Sequence, residues 1–251
     1  VIVLTEQQSN SVIECISLPR FKTYRKLLEQ IHGPSSQLTP VDQVQFYAKM
    51  QDIYSCFYVV IQTLEITLRN KIHQAKIKHY NNENWYENFK AEPHCTFNAK
   101  RIINAALDKV DKDFKSKSIN YESQDVLARI TFGLWPEILK ATYREKLFWQ
   151  IYGSEVFPNK GKVKLSQIDD NLLKIGKLRN RLYHYEPLWK TTKNFKNFNE
   201  LRSVVDEYFE IIMTLIKHCS LEKYELMKQM KQPEQFKTKM DDLFLFLSKT
   251  P

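Results

Sequence analysis

Arg179, Asn180 and His184 are the residues of this chain whose types and spacing could carry chemistry. They sit in Lys177-Leu178-Arg179-Asn180-Arg181-Leu182-Tyr183-His184-Tyr185-Glu186-Pro187, a basic stretch that reads as the end of a helix. Pro187 disfavours helical geometry at Glu186, so the helix is expected to stop near His184 or Tyr185. Arginine is a permanent planar cation suited to gripping a phosphate, and histidine is the side chain that titrates near neutrality. Together they suit phosphodiester chemistry, with proton transfer by the imidazole and charge stabilisation by the guanidinium. On a helix Gly176, Asn180 and His184 share one face, whereas Arg179 lies about 140° around the axis from His184. A single helix does not easily aim both groups at one point, so a second helix or a second subunit is the natural completion. Gly176 is expected to let another backbone approach the Asn180/His184 face. Lys177, Arg181, Tyr183, Tyr185 and Glu186 read as substrate-binding or supporting residues. Glu186 is an ion-pair candidate for Arg181 or Arg179, and Tyr183 and Tyr185 could stack a base.

A second Arg-Asn pair lies in Leu64-Glu65-Ile66-Thr67-Leu68-Arg69-Asn70-Lys71-Ile72-His73. Arg69 and His73 are four apart and share a helix face, one residue short of the Arg179/His184 spacing. Arg69, Asn70 and His73 read either as a second half-site or, by preference, as a polar cluster that buttresses the catalytic helix through Glu65 or backbone carbonyls. The other histidines, among them His79 and His94 beside Cys95, lack metal-ligand spacing. Gly161-Lys162 has the wrong spacing for a phosphate-binding loop and no apolar strand before it. Neither a metal nor a cofactor is expected.

The elements that must position these residues are helical. Only 5 Gly occur in 251 residues, too few turn formers for a many-stranded sheet. Lys and Arg (38) exceed Asp and Glu (29), giving a net charge of +9 that favours anionic partners. The four cysteines are scattered without CxxC spacing and read as reduced thiols of a cytoplasmic protein. No apolar run approaches a membrane span, so no membrane partner is expected.

In chain order, residues 1–19 form a loose lead-in, followed from Phe21 by a basic helix that a His32-Gly33-Pro34-Ser35-Ser36 loop stops. The strongest helix runs from about Val41 to His79, with Phe46, Met50, Ile53, Phe57, Val60, Leu64, Leu68 and Ile72 at steps of three and four. Residues 80–98 form a connection anchored by Trp85, Tyr86 and Phe89. A helix from Ala99 to Phe114, a polar link at Ser116-Lys117-Ser118-Ile119-Asn120 and a helix from Pro136 to Tyr152 ended by Gly153 follow. Ser166 is expected to cap the catalytic helix, whose buried row is Ile168, Leu172, Ile175, Leu178 and Leu182. A long helix from Leu201 to about Leu226 and a short one after Pro233 end the chain. The expected organisation is a single domain over 1–251, with an N-terminal arm (1–40), a core (41–220) and a C-terminal helical extension (221–251).

The Arg179-Asn180-x-x-x-His184 pattern resembles the RNxxxH form of the Arg-x4-6-His motif of HEPN (higher eukaryote and prokaryote nucleotide-binding) domains. The Leu64–Asn70 stretch, the Trp85-Tyr86 pair, Thr131-Phe132-Gly133-Leu134-Trp135 and the His184-Tyr185-Glu186-Pro187 ending resemble the Abi-like, or abortive-infection, branch of that superfamily. The likeness spans roughly residues 20 to 220. It implies an all-α, HEPN-like helical bundle with additional N- and C-terminal helices, acting as a metal-independent endoribonuclease of toxin or anti-phage type. His184 would be general acid or base, Arg179 would stabilise the phosphorane, and Asn180 would orient the phosphate or the histidine. The implied partners are RNA, a second copy completing a composite site in a homodimer, and an antitoxin protein or RNA. The alternative is a non-catalytic RNA- or protein-binding module in a toxin–antitoxin or defence complex.

Overall fold

The computed structural model describes residues 3–33, 37–115, 120–144, 146–189, 195 and 197–249. Among these it is all-helical, without a strand. The helices are α1 (Glu6–Ile16), α2 (Leu18–His32), α3 (Pro40–Tyr80), α4 (Trp85–Ala91), α5 (Phe97–Lys115), α6 (Ser123–Arg129) and α7 (Leu134–Glu137), then α8 (Ala141–Arg144), α9 (Leu147–Val156), α10 (Leu165–Tyr183), α11 (Phe198–Cys219), α12 (Leu221–Gln229) and α13 (Gln232–Leu247). No described helix is long and apolar enough to cross a membrane. The links expected at Pro34-Ser35-Ser36 and Ser116–Ile119 lie outside the described residues.

The chain divides into two compact units, one of Val1–Gln62, Leu178–Met213 and Glu225–Pro251, the other of Thr63–Lys177 and Thr214–Tyr224. In the first, Phe57 of α3 meets the rings of Phe209 (α11) and Phe236 (α13) edge-on at 5.8 and 5.7 Å, while Phe209 and Phe236 stack at 4.1 Å. Offset and edge-to-face pairs of this kind stabilise beyond the area they bury. The N-terminal segment is ordered as α1, because Thr5 forms a capping box with Gln8: the Gln8 N–H donates to Thr5 Oγ1, and the Thr5 N–H to Gln8 Oε1. Tyr24 of α2 packs edge-on against Trp189 at 5.1 Å, and Gln51 Nε2 donates to its hydroxyl at 3.2 Å. Burial pushes that hydroxyl up to about 12.

In the second unit, Trp85 and Phe89 of α4 are fully buried. The helix expected over Pro136–Tyr152 is instead three short helices, α7, α8 and α9, with Glu145 outside the described residues. Glu137 is the last residue of α7. Its carboxylate is buried and accepts from Thr96 Oγ1 (2.8 Å), Asn98 Nδ2 (2.7 Å) and Lys140 Nζ (2.7 Å), while Trp149 Nε1 donates to the Ile138 carbonyl at 2.7 Å. The Ile138 carbonyl thus bonds an indole in place of a helical N–H. Leu147 and Ile151 of α9 are exposed. Gly153 does not end α9, which runs on to Val156. Ser166 is not the cap of α10: Lys164 N–H donates to Gln167 Oε1 at 3.0 Å, and Asp169 pairs with Arg144 at 3.2 Å. The long C-terminal helix breaks at Ser220, whose Oγ accepts from the Lys223 N–H and starts α12.

Candidate functional site

The Arg179–Pro187 segment lies wholly in the first unit. Leu178 and Leu182 are buried, which fixes the rotation of the last turns of α10 and leaves Asn180, Tyr183 and His184 exposed, with Arg179 and Arg181 half-buried. The helix then closes in a Schellman turn. Glu186 N–H reaches the Arg181 carbonyl at 2.8 Å and Tyr185 N–H reaches the Leu182 carbonyl at 3.1 Å, a pair of bonds that requires a left-handed residue at Tyr185. Tyr185 has φ +55. Helix termination is therefore set by this turn before Pro187 is reached. Arg181 Nη1 donates across it to the Pro187 carbonyl at 3.4 Å. Beyond it Leu188 N–H meets the Tyr54 hydroxyl at 3.4 Å and Trp189 is buried, so the exit from the turn is anchored.

His184 ends on this fixed turn, its N–H bonded to the Asn180 carbonyl at 3.0 Å and its ring exposed. The Arg179 guanidinium lies over the Tyr183 ring at 4.4 Å, four residues on along its own face. Tyr183 in turn faces Tyr58 of α3 at 5.8 Å. Burial raises the Tyr58 hydroxyl, and the phenols of Tyr185 and Tyr183 raise it further, which places three tyrosines in one neighbourhood. Tyr58 was not singled out by sequence. It occupies an exposed position in a helix read only for its buried row, and its partnership with Tyr183 spans more than a hundred residues. Lys177 is exposed and Glu186 half-buried.

The expectation for Gly176 is corrected. An added Cβ at Gly176 would sit 3.4 Å from Cε1 of Phe132, so the space beside this glycine is taken by a ring of its own chain. A bulky residue there would strain the second unit before it tested any dimer. His73 lies in the second unit at 2% exposure, and Trp85 Nε1 donates to its Nδ1 at 2.9 Å. The proton must then sit on Nε2, and burial lowers the ring's pKa, favouring the neutral form. His73 therefore ties α3 to α4 and is withdrawn from solvent. Arg69 Nε donates to Asn70 Oδ1 at 3.2 Å; Glu65, like Arg69, is half-buried and belongs to the same unit. Among the described residues no group of three His, Cys, Asp or Glu side chains could hold a metal ion. The chain matches no family model, and no curated protein or solved structure matches it.

Tyrosine in the left-handed region costs about 1–2 kcal/mol, and the ring at this position is 67% exposed, so packing does not repay the strain. Tyr185→Gly removes it but frees the unfolded chain by about 0.4–1 kcal/mol. The expected net result is a gain near 0.5–1 kcal/mol, a melting temperature about 2 °C higher, read by calorimetry. A variant that melts lower would show that the turn needs the tyrosine ring.

Proposed function

We propose that this chain is an endoribonuclease of the Abi-like HEPN kind, acting on RNA without a metal. The observation that carries the reading is the presentation of His184. It stands exposed on a Schellman turn whose left-handed position is a strained, exposed tyrosine, beside a tyrosine group that holds Arg179. Strain kept where packing gains nothing from it is a mark of functional segments. In this reading the ribose 2′-hydroxyl attacks the adjacent phosphorus, the P–O5′ bond breaks, and the products carry a 2′,3′-cyclic phosphate and a 5′-hydroxyl. His184 accepts the 2′-hydroxyl proton or protonates the departing O5′, and an arginine stabilises the phosphorane. Arg179 on Tyr183 and His184 about 140° further round the helix suit a site in which each chain of a homodimer supplies one of the two groups. The tyrosines offer faces on which bases flanking the cut can stack. The role that fits is an abortive-infection or toxin-type effector restrained by an antitoxin protein or RNA.

The test is incubation of purified chain with structurally diverse RNAs, with and without EDTA. Cutting indifferent to chelation, cyclic-phosphate ends and intact DNA of the same sequence are expected; RNAs left whole would defeat the proposal. A non-catalytic RNA- or protein-binding module is the second reading, favoured by the engagement of Arg179 with Tyr183 on the same chain. It requires RNA binding that weakens steeply with salt and survives removal of the imidazole.

A further inference from the structure

Lys76, in the second unit, is 4% exposed, yet its ammonium borders a cavity of about 260 Å³. Its Nζ lies 3.8 Å from the Phe148 ring centroid, 4.5 Å from that of Phe89 and 5.4 Å from that of Tyr80. These rings stabilise the charge but accept no conventional hydrogen bond. Among the described residues the Lys76 ammonium makes no hydrogen bond and no ion pair. Glu92, whose charge acts on Lys76, is engaged elsewhere: Oε1 accepts from the Tyr80 hydroxyl, and Oε2 pairs with His94 Nε2 at 2.6 Å. Desolvation brings Lys76 down to about 8, with Glu92 and Cys95 opposing the fall, so it remains charged at neutral pH. Three N–H donors at the end of an otherwise buried side chain thus face an open cavity with no protein oxygen bonded to them, free for water or a ligand.

The chemistry of the cavity defines what enters. Ile138, Leu147 and Trp149 contribute apolar walls. A cavity of about 260 Å³ has room for many times the roughly 10–15 Å³ that one water needs, and so for a small organic acid. Of the other basic side chains lining it, Lys146 is exposed, His94 is paired with Glu92 and burial and Lys76 both lower the pKa of His79, so Lys76 is the buried positive charge of this cavity. A phosphate dianion would be left with charge uncompensated beside Glu92, whereas a single carboxylate matches one ammonium. We propose that the Lys76 cavity is a binding site for a small monocarboxylate with an aromatic or apolar body, its carboxylate on Lys76 and its body against Ile138, Leu147 and Trp149. Binding here is independent of RNA cutting and stands whichever way that activity is decided.

The experiment is calorimetric titration of the full chain with phenylacetate, its neutral amide and inorganic phosphate. Phenylacetate is expected to bind one-to-one, with Lys76→Met, which keeps an unbranched chain inside the ring cage, weakening it roughly 10- to 100-fold. On the unmodified chain, phenylacetate should also protect Lys76 from reductive methylation, read by peptide mass. That measurement decides the matter if the variant does not fold. Equal binding of the amide, displacement by phosphate, unchanged affinity of a folded Lys76→Met, or methylation of Lys76 indifferent to phenylacetate would each overturn the assignment.

Discussion

His184→Ala is expected to lower RNA cleavage by roughly 10²- to 10⁴-fold, the usual contribution of a positioned acid or base, while leaving the melting temperature unchanged. The structural half of that expectation follows from the turn. The bonds that close α10 are backbone to backbone, from Glu186 to Arg181, Tyr185 to Leu182 and His184 to Asn180, and none needs the imidazole. The ring is exposed, so its loss leaves no cavity and no buried orphan. Arg179→Ala is expected to cost a similar factor, with a small loss of stability from the contact with Tyr183. Mixing the two inactive variants then separates the site models. If one chain supplies Arg179 and its partner His184, a mixed dimer holds one intact site and one doubly damaged one, and an equal mixture recovers about a quarter of wild-type activity. A site built within each chain recovers none.

The parts of this molecule written in local periodicity are legible in its sequence. Phe46, Met50, Ile53, Phe57, Val60, Leu64, Leu68 and Ile72 are all at 0% exposure, on a helix whose observed ends, Pro40 and Tyr80, fall within a residue of those expected. A forty-residue amphipathic repeat leaves little freedom for any other reading. The row Ile168, Leu172, Ile175, Leu178 and Leu182 is buried for the same reason, and its last two members set the rotation of the turn that bears His184. What stays hidden depends on distant partners or on backbone conformation. Periodicity does not reveal that Tyr185 adopts φ +55, because sequence expects glycine or asparagine there. Nor does it reveal that Phe132 fills the space beside Gly176, or that Tyr58 faces Tyr183. Gly176 shows the limit best, since a glycine on a helix face says that something comes close without saying what.

Glu137 closes α7 at the first break of the Pro136–Tyr152 segment, and its removal carries a large expected stability effect. The carboxylate is 3% exposed and accepts three hydrogen bonds, one from the cation of Lys140. Thr96 also caps α5, its Oγ1 accepting from the Ala99 N–H at 3.2 Å, so Glu137 fixes the start of that helix as well. Glu137→Ala strands these donors and opens a small void, and about 3 kcal/mol should be lost, a fall in melting temperature of about 6–12 °C. Glu137→Gln should fall between wild type and alanine, because its carbonyl oxygen still accepts while its amide faces the Asn98 and Lys140 donors. Burial pushes the Glu137 carboxyl up, but the bonds from Lys140, Asn98 and Thr96 outweigh it and hold the group below its ordinary value of 4.5. The unfolded chain therefore takes up this proton first as the medium is acidified. The contribution of Glu137 is complete above about pH 4.5 and is lost as pH falls through the lower folded-state value. Stability curves of wild type and Glu137→Ala should accordingly run parallel from neutrality down to about pH 5 and converge below it. Curves that stay apart in acid would mean that the side chain acts by filling space, with its charge irrelevant.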